Sequence, residues 1–445
     1  MGNWVASRFN ARTVRNNGDL VLYNSFTGAI GVANQDNDRT LIHDALHSGR
    51  ITQDDISKYP VLQLLIDQGY FVEDDVNEFE KASKLHDYTW ETEEILQLII
   101  MPTEECNFRC VYCYEEFLRG SMSPPLVDGL KKFVSDRMPK LKHFTVSWFG
   151  GEPTEALDVI YELSDFFIEL ADFYGVEYKS GMTTNAYNIT PDVFNTLITR
   201  CHVTSYQITV DGTREEHDKR RIKKDGKHTF FKIMDNLHAM THTDFDFSIY
   251  IRSNFDSGNH SNMNYFLEEL SQYVGTDSRF SLYFHPIDKW GGKNDDNLEI
   301  CNSRDSQKIQ NDLLMEAVKR GQSNGNKLIE NLKPGGSVCY AARPWSLVVG
   351  SDGTIYKCTV ALTDERNRVG RLKPTGDLVI DNEKFSKWVT GTEVGNTGCS
   401  SCFFLPSCQG AACPLERINT NETPCPSHKK SIRRVLDIIG ETVSR

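Results

Sequence analysis

Between residues 95 and about 317, short apolar runs alternate with amphipathic stretches. That alternation predicts strands and helices in turn, the arrangement that builds a parallel sheet covered by helices. Six strands are expected, at 95–100, 144–148, 177–183, 205–210, 247–254 and 280–284, with helices at 126–137, 159–173 and 191–200 among those between them. Thr190 before Pro191 marks one helix start: the threonine oxygen can cap, and proline has no N–H to lose in the first turn. Six such units suit an open partial (β/α)6 barrel better than a closed eight-stranded one. Residues 1–90 predict a smaller unit. Apolar runs at 20–23 and 29–33 flank the turn cluster Asn24 to Gly28, then Leu41, Ile42, Ala45 and Leu46 repeat at helix spacing, as do Val61, Leu62, Leu64, Leu65 and Ile66, before a short strand at 70–72. Hairpin, helices and final strand together read as a winged helix. A polar, glycine-rich stretch at 322–338, including Lys333-Pro334-Gly335-Gly336, predicts a linker. Beyond it lies a third region, 339–445, ending in Ile432, Val435, Leu436 and Ile439, whose i, i+3, i+4, i+7 spacing predicts a docking helix.

Charge narrows the partners. The 445 residues hold 49 Lys and Arg against 62 Asp and Glu, a net charge of −13, which repels phosphate backbones and anionic membrane surfaces. Residues 1–90 alone hold 8 basic against 13 acidic side chains, so a winged unit there favours a peptide over DNA. With a mean hydropathy of −0.45 and no apolar run near bilayer length, a soluble protein is expected, with no membrane and no nucleic acid among its partners. The first residues lack an apolar signal core, which predicts a cytoplasmic location.

Twelve cysteines change the picture most. A reducing compartment leaves thiols free, so metal binding is a better reading than disulfides. Cys106, Cys110 and Cys113 form a Cys-x3-Cys-x2-Cys run just after the first strand, where three thiolates can surround one metal centre. A cubane on three cysteines leaves one iron open, whereas structural zinc, the alternative, normally takes four protein ligands. Here the chain resembles the radical S-adenosylmethionine superfamily, whose signature Cys-x3-Cys-x-aromatic-Cys is met with Tyr112 as the aromatic. The resemblance extends along the strand ends. Gly150, Gly151 and Glu152 match its Gly-Gly-Glu motif, where glycines permit close backbone approach and the glutamate accepts from the cofactor's ammonium. Thr184 and Asn185 stand where the family places ribose contacts, and Asp211 ends the fourth strand in a family form. At the fifth strand end the resemblance implies that Arg252 pairs the methionine carboxylate, with Asn254 nearby; a surface ion pair is the alternative for Arg252 alone.

The C-terminal cysteines, Cys339, Cys358, Cys399, Cys402, Cys408, Cys413 and Cys425, resemble a SPASM domain, an extension found in radical enzymes acting on peptides and proteins. Four residues, Gln409 to Ala412, separate Cys408 from Cys413 where that family usually has three. The resemblance implies one auxiliary cluster on Cys339, Cys358 and Cys413 and a second on Cys399, Cys402, Cys408 and Cys425. Seven thiolates cannot fill eight positions, so one iron is open or a non-cysteine or Cys301 completes the set. A structural zinc ribbon is the alternative. Cys201 and Cys301 are otherwise expected to be inert.

The resemblance thus implies three [4Fe-4S] clusters and S-adenosyl-L-methionine, a precursor peptide gripped by its leader as an added strand, and an electron donor such as a flavodoxin or ferredoxin. The expected function is a radical maturase that oxidatively cross-links a ribosomally made peptide, thioether formation first. Carbon–carbon, carbon–oxygen or ring-closing chemistry and epimerisation share the first step. Sulfatase maturation is a further alternative, although that group carries an Asp after the second auxiliary cysteine, where Thr359 stands. A non-catalytic iron-sulfur redox or DNA-binding protein is the reading from another class. His202, His217 and Tyr187 follow or adjoin motif strands, yet none is assigned as catalytic.

Overall fold

The computed structural model describes residues 3–389 and 397–443. The chain divides into two compact units, one of Thr92–Asn324 with Pro344–Trp388, the other of Met1–Glu91, Gly325–Arg343 and Val389–Arg445.

In the first unit the six expected strands are present as Ile95–Ile100, His143–Trp148, Glu177–Thr184, Val203–Thr209, Ser248–Phe255 and Phe280–Pro286. All neighbouring pairs are parallel and in sequence order. The expected barrel proves to be part of something wider. Ser346–Val349 pairs in parallel with Ile95–Ile100, and Thr354–Tyr356, Arg368–Leu372 and Leu378–Ile380 follow antiparallel, so the sheet is mixed, ten-stranded and open. Residues 344–388, expected with the cysteine-rich C-terminal region, therefore belong to this sheet.

Register explains why the sheet has one dry face and one polar face. Leu98 pairs with Val146, Val146 with Ser180, Met182 with Tyr206, Ile208 with Ile251 and Ile251 with Leu282, and all of these are buried. Helices such as Leu157–Tyr174, which buries Val159, Ile160, Leu163, Phe167 and Ala171, supply apolar side chains to this core. The alternate positions carry Thr183, Gln207, Tyr250, Arg252, Tyr283 and His285, which are half-buried. Strand side chains alternate with period two, so this second set shares the opposite face and lines it with donors and acceptors. Helix Pro191–Thr199 begins as expected, with the Thr190 hydroxyl accepting from the Val193 N–H at 3.4 Å.

The second unit opens with strands Asn3–Ala6, Asn10–Val14, Leu20–Asn24 and Ile30–Ala33, then helices Asp36–Ser48, Gln53–Lys58 and Val61–Asp67. The expected hairpin is there, but Asn10–Val14 adds a third strand to it, and Asn3–Ala6 pairs with Arg50–Thr52 and Phe71–Glu73 in another sheet. Among the described residues Ile30–Ala33 pairs on one side only, with Leu20–Asn24, and so presents an edge. The 322–338 stretch is not simply a linker: Asn326–Leu332 is helical, because Leu328 and Leu332 find a core to bury in. The C-terminal segment forms the helix Ile432–Val443 and packs on Asn10–Val14 and Leu20–Asn24.

Arg15 fastens that helix. It is 8 % exposed, reaches the Gly440 carbonyl at 3.1 Å, and pairs with Asp19 at 3.3 Å, Asp437 at 3.4 Å and Glu441. Removing one partner of a buried ionic group leaves the others uncompensated. Arg15→Ala is expected to destabilise this unit by about 3 kcal/mol, read as a lower urea midpoint and faster proteolysis near residue 430 than in the parent protein.

Candidate cluster and cofactor site

The site is built where the parallel strands end. Cys106, Cys110 and Cys113 follow the first strand, but the segment between them is not a free loop. Phe108–Cys110 is a strand, paired antiparallel with Arg221–Lys223, and the Lys224 N–H to Asn107 carbonyl bond at 2.7 Å and the Val111 N–H to Arg220 carbonyl bond at 2.9 Å extend the clamp. The Phe108 N–H donates to Cys106 Sγ at 3.4 Å. Burial pushes all three thiols up, Cys113 to about 12, and Cys110 adds to the repulsion felt by Cys106 and Cys113.

Glu152 is wholly buried. Its Oε1 accepts from the Thr154 N–H at 3.1 Å, the Thr154 hydroxyl at 2.7 Å and the Thr184 hydroxyl at 2.7 Å; its Oε2 accepts from the Asn185 N–H at 2.7 Å. Burial still raises its pKa, which those donors only partly offset. Oε2, with a single donor, keeps acceptor capacity for a cation. Thr184 and Asn185 thus act first on Glu152, and Asn185 Nδ2 also bonds Asn107 Oδ1 at 2.7 Å, which ties the third strand end to the cysteine loop. The close approach made by Gly150 and Gly151 is to the chain itself. A Cβ on Gly150, whose φ is +112°, would stand 2.3 Å from the Thr103 carbonyl, and one on Gly151 would stand 2.2 Å from that of Glu105.

Four more of the expected cofactor residues meet in one network. The Tyr112 hydroxyl bonds Asp211 and receives Asn254 Nδ2 at 3.1 Å, Asp211 Oδ1 accepts from the Asn254 N–H at 2.9 Å, and Arg252 Nε donates to Asn254 Oδ1 at 2.8 Å. Two neighbours were not singled out from sequence. Tyr283 donates to Gln207 Oε1 at 2.5 Å, and His285 donates from Nδ1 to the Pro286 carbonyl at 2.8 Å while burial and Arg252 hold its pKa down at about 3. Both sit across from motif residues, Tyr283 from Arg252 and His285 from Asn254, a register that a local motif does not reveal.

Of the side chains left without a role, His217 is structural: its Nδ1 accepts from the Asp211 N–H at 3.2 Å and its Nε2 bonds the Thr229 hydroxyl at 3.1 Å. Tyr187 stacks edge-on to Phe108 at 5.7 Å. His202 is exposed and precedes the fourth strand, at the opposite end of the sheet from the site. Cys201 is buried, and Cys301 lies within the field of Asp256 and Asp305.

Cys358 is held by buried Asn367, whose Oδ1 accepts from the Lys357 and Cys358 N–H groups at 2.9 Å each while Nδ2 donates to the Cys358 carbonyl at 2.7 Å. In the other unit Cys402 and Cys425 both act on the Cys399 thiol, and Cys399 and Cys402 on Cys408, so these four cysteines share one field. Lys429 Nζ stands 3.2 Å from Cys425 Sγ. Cys339, Cys413 and Cys425 line a cavity of about 470 Å3 with Arg343 and His428, whose pKa burial lowers to about 4. The additional residue between Cys408 and Cys413 is absorbed by left-handed backbone at Gln409, φ 51°, and Gly410, φ 72°.

Among the described residues no three His, Cys, Asp or Glu side chains approach closely enough to ligate a single ion. In a cubane each thiolate takes its own iron, so cysteines that share a field at wider spacing fit a multi-iron cluster. The all-thiol donor sets are those of an iron-sulfur protein, and Glu152 offers a cradle for a cation.

Residues 100–252 match the family described as the Radical SAM superfamily. The chain is similar to a cysteine-type anaerobic sulfatase-maturating enzyme of Clostridium novyi (strain NT), 22 % identical over 338 residues, 71 % of this chain and 87 % of that protein. Among solved structures it is similar to anSMEcpe with bound AdoMet and Kp18Cys peptide, with a TM-score of 0.57 and 18 % identity over 79 % of this chain and 100 % of that one. It also aligns with Streptococcus suis SuiB bound to precursor peptide SuiA, TM-score 0.48 and 12 % identity, over 95 % of this chain and 98 % of that one.

Proposed function

We propose, from the premise that residues 100–252 form a radical SAM domain, that this chain is a peptide maturase that removes hydrogen from a ribosomally made precursor and closes an oxidative cross-link, thioether in kind. Cys106, Cys110 and Cys113 would hold the radical cluster, and Glu152, Asp211, Arg252 and Asn254, with Tyr112, Gly150, Gly151, Thr184 and Asn185, would seat S-adenosylmethionine. When bound, the cluster and cofactor supply a 5'-deoxyadenosyl radical that abstracts hydrogen from carbon. The chain's own part is positioning: a polar strand face holds the substrate carbon near one place, where effective concentration replaces collision.

The observation that carries the peptide reading is the edge strand Ile30–Ala33. The Asn24 N–H to Ala29 carbonyl bond at 3.0 Å starts an antiparallel alternation that leaves the Ile30 and Val32 amides facing away from Leu20–Asn24. An extended leader can add there as a further strand. Auxiliary clusters on the seven C-terminal cysteines would accept the surplus electron, and a flavodoxin or ferredoxin would supply the first one. No helix among the described residues is long and apolar enough to cross a membrane.

Sulfatase maturation is the second reading, supported by the Clostridium novyi relative and by the peptide bound in anSMEcpe. Thr359 in place of the Asp after the second auxiliary cysteine, and the N-terminal strands and helices, favour the first. The test is anaerobic incubation of the reconstituted protein with reductant, S-adenosylmethionine and the peptide encoded beside its gene, followed by thiol alkylation and tandem mass spectrometry. Loss of two hydrogens with one thiol newly protected is expected, and only when the leader is attached. Loss of two hydrogens with all thiols alkylated would replace thioether by another bond. A cysteine converted to an aldehyde, without need of a leader, would establish the second reading.

A further inference from the structure

The two-stranded ribbon beside the cysteine run carries a charge that neither the motif nor the proposed function uses. Arg221 pairs directly with Cys110 in the antiparallel ribbon, and directly opposed residues project to the same face with Cβ atoms about 4.5–5.5 Å apart. The side chain is 6 % exposed. Its Nη1 donates to the Tyr112 hydroxyl at 2.9 Å, its guanidinium carbon lies 5.6 Å from the centre of the Phe108 ring, and its Nε, though buried, has no hydrogen-bond partner. A buried guanidinium with an unused donor, next to a metal-binding thiol, is costly unless a negative group sits close by.

The backbone under it is fixed from behind. The Asp211 N–H donates to His217 Nδ1, His217 Nε2 bonds the Thr229 hydroxyl, and that hydroxyl donates to the Arg221 carbonyl at 2.7 Å. Asp218 Oδ1 accepts from the Thr229 and Phe230 N–H groups at 2.9 and 3.0 Å, which closes the turn leading out of the ribbon. The charges facing Cys110 are Arg221, Asp211 and Glu115. Arg221 is the single cation of that set.

We propose that Arg221 is a positioning residue that sets the reduction potential of the cluster held by Cys106, Cys110 and Cys113, its buried charge favouring the reduced form. Reduction adds one electron to a site already bearing three thiolates, and the electron comes from an external low-potential donor. A fixed cation at the Cys110 corner stabilises the added charge in a medium of low dielectric. The role is independent of which bond the enzyme makes.

The test is an EPR-monitored redox titration of the full chain, anaerobically reconstituted, reduced stepwise with dithionite and read on the signal that S-adenosylmethionine perturbs. Arg221→Gln is expected to make reduction about tenfold less favourable, about 59 mV lower for a one-electron couple, with iron content equal to the parent. Arg221→Lys, which keeps the charge and loses the fork, is expected to recover most of that shift. An unchanged midpoint in Arg221→Gln at equal iron content would overturn the proposal and leave Arg221 a purely structural residue of the ribbon. Where Arg221→Gln fails to take up iron, Asp211→Asn carries the decision. It removes the counter-charge and spares Arg221, so the midpoint is expected to rise, and a midpoint that stays or falls would equally overturn the assignment.

Discussion

Replacing Cys110 by alanine is expected to bring reductive release of 5'-deoxyadenosine and methionine from S-adenosylmethionine down to background. Cys110 is the middle cysteine of the run and sits inside a strand, so its backbone remains held by pairing with Arg221 when the thiol is gone. The loss is therefore one of ligation and not of fold. Two thiols, Cys106 and Cys113, cannot keep a cubane whose fourth iron must stay open, so about four irons per chain should be missing while those on the C-terminal cysteines remain. Chromatography of the nucleoside and an iron and sulfide assay read both effects. Because burial keeps the apo thiols protonated, cluster assembly on the parent protein should also release protons, and the variant should release fewer. Wild-type levels of cleavage in Cys110→Ala would remove the cluster from this loop.

Glu152→Gln is the second large effect. The parent carboxylate takes three donors on one oxygen and one on the other, and charged acceptors are worth more than neutral ones. The amide substitutes poorly: whichever way it turns, an NH2 group faces either the Asn185 N–H or the three donors on the Thr154 and Thr184 side. S-adenosylmethionine binding is expected to weaken by about 10- to 150-fold, the worth of one charge-assisted bond at about 1.5–3 kcal/mol. A pH profile separates this from simple misfolding. Burial raises the Glu152 pKa, and an ammonium ligand favours the ionised form, so affinity in the parent should rise as pH rises through the Glu152 range. The Gln variant cannot titrate there, and its affinity should not follow that rise. Equilibrium dialysis of S-adenosylmethionine against the iron-loaded proteins would show it; parallel profiles in the two would sink the ammonium role.

The dividing line between sequence and tertiary structure is visible in particular residues. The first strand was expected at 95–100 and is Ile95–Ile100, and the other five shift by one or two residues. That accuracy comes from burial of one face of the sheet, which writes itself as apolar residues at alternate positions, such as Phe144, Val146 and Trp148. The N-terminal strands Asn3–Ala6 and Asn10–Val14 were not expected, since their residues are only half-buried and mix polar with apolar. Helix Asn326–Leu332 was hidden by the glycines and proline that follow it.

The sequence by itself determined the chemistry that depends on spacing. A Cys-x3-Cys-x2-Cys run, a Gly-Gly-Glu turn and a polar residue at each successive strand end are local patterns, and the net charge of −13 argues against a nucleic-acid partner without any fold. Only the tertiary structure decided what surrounds those groups. Arg221 stands 111 positions beyond Cys110 in the chain, Asn185 is 33 beyond Glu152, and Asn367 follows Cys358 by nine, yet each makes the contact that orients its partner. Such contacts follow from strand register and loop closure over many residues, quantities that no local window of sequence contains. A ligand set can be read from the order of residues along a chain, whereas the field in which those ligands work is set by which distant strands come to lie beside them.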